Sequence, residues 1–94
     1  MPGSGIQIEY TVQMWREGGQ YIAHAMPLDV MSAGATAEEA RNALDEAVRL
    51  FMKTAAAIGT VAEVLEEAGY VWREGRWVSP SFVGVEQHTL SVAS

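Results

Sequence analysis

The sequence predicts an α+β domain in which an antiparallel sheet packs on one long helix, and three observations lead there. Residues 6–15, IQIEYTVQMW, alternate apolar and polar side chains with period two, the mark of a half-buried strand. Residues 20–26, QYIAHAM, form a second β-prone run after Arg16-Glu17-Gly18-Gly19, whose glycines accept the positive φ of a tight hairpin. From Gly34 to Ile58 the period changes to that of a helix. Ala40, Leu44, Ala47, Val48, Phe51, Ala55 and Ile58 fall on one stripe there, while Glu38, Arg41, Asn42, Asp45, Arg49 and Lys53 fall opposite.

Along the first strand, Ile6, Ile8, Tyr10, Val12 and Met14 face one way and Gln7, Glu9, Thr11 and Gln13 the other. Pro27 and Asp29 interrupt the second strand, and a short third strand at residues 30–33 leads into the helix. Thr36 and Glu39 have capping-box spacing, so the threonine hydroxyl accepts from the third helical N–H while the carboxylate reaches back to the N-terminus. Gly34 supplies the turn. The alanines at 40, 43 and 47 leave little side chain on the buried stripe, which lets the helix lie close to a flat partner, the N-terminal strands.

Gly59 suits a left-handed helix end, and Thr60 with Glu63 repeats the capping spacing for a second helix. Val61, Val64, Leu65 and Ala68 make its apolar stripe, and Gly69 closes it. Residues 70–79 read as a hairpin about Glu74-Gly75, with Trp72 and Trp77 paired across it. Pro80 ends that run. Residues 82–92, FVGVEQHTLSV, are β-prone but lack turn chemistry to fold back, so they call for a neighbour. The whole chain, residues 1–94, is expected to be one domain, with a β-β-β-α core at 6–58 and a C-terminal helix and strands at 60–94.

Composition narrows the function. The net charge is −6, from 12 acidic and 6 basic residues. An acidic surface repels phosphate, so direct nucleic-acid binding is not expected, whereas a basic protein would be attracted. No run approaches the roughly 20 apolar residues of a membrane-spanning helix, and residues 1–5 lack the features of a signal peptide. With no cysteine in the sequence, there is neither a disulfide framework nor a thiolate metal site, in keeping with a cytoplasmic location.

Chemistry finds little support. Two-metal phosphoryl transfer needs several converging carboxylates, but the strands offer only Glu9, with Asp29 in a loop. His24 and His88 are the only histidines, and no further ligands gather around them; His24 reads as a partly buried strand residue. No nucleophile elbow or phosphate-cradling glycine loop is present. The expected site is therefore non-catalytic and holds no metal or cofactor.

Two surfaces remain as candidates for binding. One is the outward sheet face and its hairpin tip: Glu9, Thr11, Gln13, Trp15, Arg16, Glu17 and Tyr21. The other is the C-terminal segment with Tyr70, Trp72, Trp77, Phe82, Val83 and Val85, read as a subunit interface because so much apolar surface suits a second copy in a homodimer or higher oligomer. The string Trp-Arg-Glu-Gly occurs twice, at 15–18 and 72–75, and reads as two hairpin arms rather than a repeat, since the flanking sequences differ.

The order strand, strand, strand, helix, with G-x-T-x-E-E-A opening the helix at Gly34, Thr36, Glu38, Glu39 and Ala40, resembles the HicB antitoxin family. The likeness extends to the hairpin at Gly18-Gly19-Gln20-Tyr21 and covers residues 8–51. It implies a truncated ribonuclease H-like fold and an antitoxin that neutralises a small basic messenger-RNA-cleaving toxin. The chain departs from the pattern at Ala25-Met26-Pro27-Leu28-Asp29, where the family usually has P-D-L-P-G. Its C-terminal part also lacks the signature of a DNA-binding ribbon or recognition helix. An orphan oligomeric module of the same fold is the alternative.

Overall fold

The computed structural model describes residues 7–93. Gly18, at φ 62°, turns the chain so that Glu17 pairs with Gln20 across a two-residue turn. That turn fixes the antiparallel register of β1 (Thr11–Glu17) and β2 (Gln20–Met26) through Gln13↔His24 to Thr11↔Met26. A tight turn held by the Asp29 N–H donating to the Ala25 carbonyl at 2.8 Å then brings back β3 (Val30–Gly34), which pairs only with β2.

Register decides the faces. Val12, Met14, Arg16, Tyr21, Ala23, Ala25, Val30 and Ser32 share one side of the sheet, and Thr11, Gln13, Trp15, Ile22, His24, Met26, Met31 and Ala33 share the other. Helix α1 (Ala37–Ala57) lies on the first side. Ala40, Leu44 and Val48 pack there with Ala23 and Ala25, and the small side chains facing each other account for the close contact. Helix α2 (Val61–Ala68) adds Leu65, and the hairpin of β4 (Val71–Arg73) and β5 (Arg76–Val78) brings Tyr70 and Trp77 into the same core.

The predicted fold class stands: a three-stranded antiparallel sheet, one long and one short helix, and a C-terminal hairpin. Several details differ. The first strand begins at Thr11 because β2 ends opposite it at Met26, where Pro27 has no N–H to continue the ladder. Ile8 instead makes a parallel bridge to Trp77, and residue 6 lies outside the described residues. The apolar stripe of α1 is only partly used, since Phe51 is 38% and Ile58 69% exposed. A helix of 21 residues is about 31 Å long, whereas strands of five to seven residues reach only about 16–24 Å, so its last turns overrun the sheet.

The caps also differ from each other. Thr36 accepts from the Glu39 N–H at 3.1 Å, but the Glu39 carboxylate receives the Ala35 N–H rather than that of Thr36. Thr60 makes no side-chain cap to α2, and its hydroxyl instead donates to the Ala55 carbonyl at 3.4 Å. Continuous contact between the two helix ends competes with the local motif there, and Gly59 at φ 76° makes the corner.

Candidate partner-binding surface

The sheet face turned away from α1 carries no covering element among the described residues. Its centre is apolar and aromatic. Trp15 and Ile22 are register partners, Ala33 flanks Ile22 on β3, and Met31 beside His24 is 54% exposed. Ile22 is buried on this face, apart from the cluster around Leu44 on the helix side.

A polar chain crosses the same face. Gln13 Nε2 donates to His24 Nδ1 at 3.0 Å, and His24 Nε2 donates to Asp29 Oδ1 at 2.7 Å. This tautomer is assigned because an ionised carboxylate can only accept, which makes Nε2 the donor and leaves Nδ1 to accept from the Gln13 amide. The Trp15 ring stands edge-on to the His24 ring, with centroids 6.3 Å apart, and its indole N–H donates to Glu17 Oε1 at 3.1 Å. Asp29 sits at φ 63°, a left-handed conformation that aspartate tolerates better than most residues, and its side chain is largely open to solvent. Both nitrogens of His24 are engaged within the network, so the imidazole fixes the side chains around it.

The structure divides the residues expected on this face. Thr11, Gln13, Trp15 and Glu17 lie on it, with Trp15 half-buried rather than freely exposed. Arg16 and Tyr21 have the opposite parity and pair with each other on the helix side, where the Arg16 guanidinium carbon is 5.8 Å from the Tyr21 ring centroid. Glu9 precedes β1, and its side chain is exposed while its carbonyl accepts from the Tyr70 hydroxyl. The residues not anticipated are Ile22, His24, Met31 and Asp29. A signal for them existed: once Gly18-Gly19 sets the hairpin, Gln13 and His24 must face each other.

The C-terminal group divides as well. Tyr70 and Trp77 are 3% and 8% exposed and belong to this chain's own core, so they are not free to form a subunit interface. Trp72 stacks edge-on against Trp77 at 5.2 Å and keeps an exposed side. Phe82, Val83 and Val85 are exposed in a segment without secondary structure.

An open groove of about 440 Å³ lies between the entry to β1 and α1, lined by Ile8, Tyr10, Asp45, Val48, Arg49 and Met52. The Tyr10 hydroxyl donates to Asp45 Oδ1 at 2.6 Å. Burial first, and then that bond, push the Tyr10 hydroxyl up to about 12. Burial likewise raises Tyr70 to about 12, with the Glu9 carboxylate adding to it. Both phenols are therefore neutral hydrogen-bond donors at physiological pH. Among the described residues, no three His, Asp or Glu side chains are grouped to hold a metal.

No family model, curated protein or solved structure matches this chain. No helix among the described residues is long and apolar enough to cross a membrane.

Proposed function

We propose that the chain is a HicB-like antitoxin, a binding module that neutralises a small basic RNA-cleaving toxin by covering it. The observation that carries this reading is the uncovered sheet face, where Trp15, Ile22 and Met31 form an apolar centre bordered by the carboxylates of Glu17 and Asp29. No Lys or Arg of β1, β2 or β3 shares that side, since Arg16 is turned to the other. An aromatic centre with an acidic rim suits a cationic protein: the ring supplies desolvated contact area, and the carboxylates steer the encounter. The net charge of −6 adds a long-range field of the same sign. The resemblance at Gly34, Thr36, Glu38, Glu39 and Ala40 supports the same assignment. No residue performs chemistry in it, and inhibition comes from steric cover.

The tagged chain, used as bait in lysate of its own cell, tests the reading. At low salt it should retain a small basic protein that is released at high salt, because the Debye length falls from about 10 Å at 0.1 M to about 3 Å at 1 M. W15A and E17K should each weaken that retention. Recovery of the bait alone overturns the proposal and leaves a self-assembling module of the same fold, a reading favoured by the unpaired C-terminal segment.

A further inference from the structure

We propose that residues 79–93 form a donor segment that adds to the free edge of β3 in a second copy of this chain, reciprocally, so that two copies exchange tails about a two-fold axis. The pairing does not depend on the toxin reading.

The donor is evident from what it leaves in water. After Val78 the chain runs for fifteen described residues without a helix or a strand. Val83 is 99% exposed and Val85, Leu90 and Val92 are each more than four-fifths exposed, in two alternating pairs separated by the polar residues 86–89. Each pair alternates as a strand does, and because Val83 and Val85 have odd parity and Leu90 and Val92 even, an added strand would offer one pair to each face of the sheet it joins. The molecule is extended: its radius of gyration is 16.0 Å, against about 12 Å for a compact chain of this length. A segment of fifteen residues spans up to about 50 Å when extended, enough to cross to a neighbour while its own hairpin stays in the core.

The acceptor is the better of two edges. β3 pairs only with β2, and its five residues, VMSAG, include neither a charge nor a proline to discourage addition. The opposite edge, β1, ends in Arg16 and Glu17, and the segment leading into it is bridged to Trp77.

Charge selects a second copy over a basic partner for this segment. The tail carries no Lys or Arg, and its one carboxylate, Glu86, is 2.8 Å from His88 Nε2. One carboxylate in fifteen residues offers little to a cationic protein and adds little repulsion toward the acidic body of another copy. Size agrees: tail and β3 together give twenty residues per subunit, the lower end of the roughly 20–30 per side of a stable interface.

Light-scattering mass measurement on the full chain tests the exchange. The 10.2 kDa chain should run at twice that mass at up to about 100 µM, a concentration at which a specific contact of this size is occupied. The variant V83K/V85K/L90K/V92K should run as a single chain. Lysines lower the repulsion between acidic bodies, so their effect cannot be ascribed to charge, and the substituted side chains are exposed, so the fold should survive. The edge variant M31K/A33K should also be monomeric alone but should form a one-to-one complex with the tail variant, since one intact tail meets one intact edge. A monomeric parent, a tail variant of unchanged mass, or a mixture that stays monomeric would each overturn the proposal. If the edge variant fails to fold, the mass of the tail variant decides. The dimer should persist at high salt. A monomeric chain that still retains a basic protein would overturn the exchange and spare the proposed function, and a dimer that retains none would do the reverse.

Discussion

Replacing Gly34 with alanine is the sharpest test of how the sheet is joined to the long helix. Gly34 ends β3, and it is not among the glycines with positive φ, so its backbone is open to any residue. The constraint is space. A Cβ at this position would lie 2.6 Å from the Ala40 backbone nitrogen, 2.8 Å from Glu39 Cβ and 2.9 Å from the Glu39 carbonyl carbon. Two of those atoms are helix backbone, so relief requires the first turn of α1 to move as a unit, taking the Thr36 cap and the fully buried Ala40 with it. Overpacking of this kind costs about 1–3 kcal/mol, and the stiffer unfolded chain returns about 0.4–1 kcal/mol. The net of about 1–2 kcal/mol corresponds to a Tm lowered by about 5–15 °C in a domain of this size. Gly19 and Gly18 are the controls, since a Cβ at either meets nothing within 4 Å. Gly19 lacks positive φ, so G19A should be nearly silent, whereas G18A, at φ 62°, should cost about 1–2 kcal/mol from backbone strain alone. Thermal unfolding followed by circular dichroism reads all three. A G34A protein that melts with G19A would refute the view that the helix rests on this residue.

Other outcomes follow from the same contacts. L44A empties one of the two fully buried leucines and should cost about 3–5 kcal/mol in urea unfolding, whereas the half-exposed Phe51 should cost distinctly less on truncation. T36A should lose about 1 kcal/mol and T60A almost nothing, because only Thr36 caps its helix; equal losses would contradict the assigned geometry. Alkaline titration should weaken the fold between pH 10 and 12. Tyr10 and Tyr70 are raised to about 12 in the folded chain, so the unfolded chain releases those protons first and stability falls as pH rises through this window. The ceiling is about 2.7 kcal/mol per tyrosine, reduced at Tyr10 by solvent screening, and Y10F should flatten the profile of the denaturation midpoint.

Much of the fold was legible because local chemistry and tertiary contact agree. Gly18-Gly19 fixes the hairpin, the change from period two to 3.6 marks the start of α1, and Thr36 caps it as the spacing predicts. Sequence reading failed where a remote partner decides. Ile8 continues an alternating run, yet β2 has ended, and its neighbour is Trp77. Phe51 and Ile58 continue an apolar stripe, but no sheet remains beneath them. The repeated Trp-Arg-Glu-Gly shows the same limit. Glu17 is a paired strand residue beside its turn, whereas Glu74 is in the turn itself at φ 48°, so identical strings sit one residue out of step. On the candidate surface, parity assigned Thr11, Gln13 and Trp15 correctly. It could not place Tyr21 with them, because the two-residue turn pairs Tyr21 with Arg16, on the opposite side.

The burial of Tyr70 and Trp77 also bears on the order in which the molecule can be made. The Tyr70 hydroxyl closes on the Glu9 carbonyl across 61 residues of chain, and Trp77 bridges Ile8. During synthesis from the N-terminus, the sheet and α1 emerge well before the residues that seal their shared interior. The nascent chain must therefore wait, with Leu44 and its neighbours partly open, until residues 65–77 have left the ribosome. Loop closure of that length slows folding. A stop codon placed after α1 would leave a sheet and helix lacking three of their core side chains, Leu65, Tyr70 and Trp77, and such a fragment should be prey to chaperones and proteases.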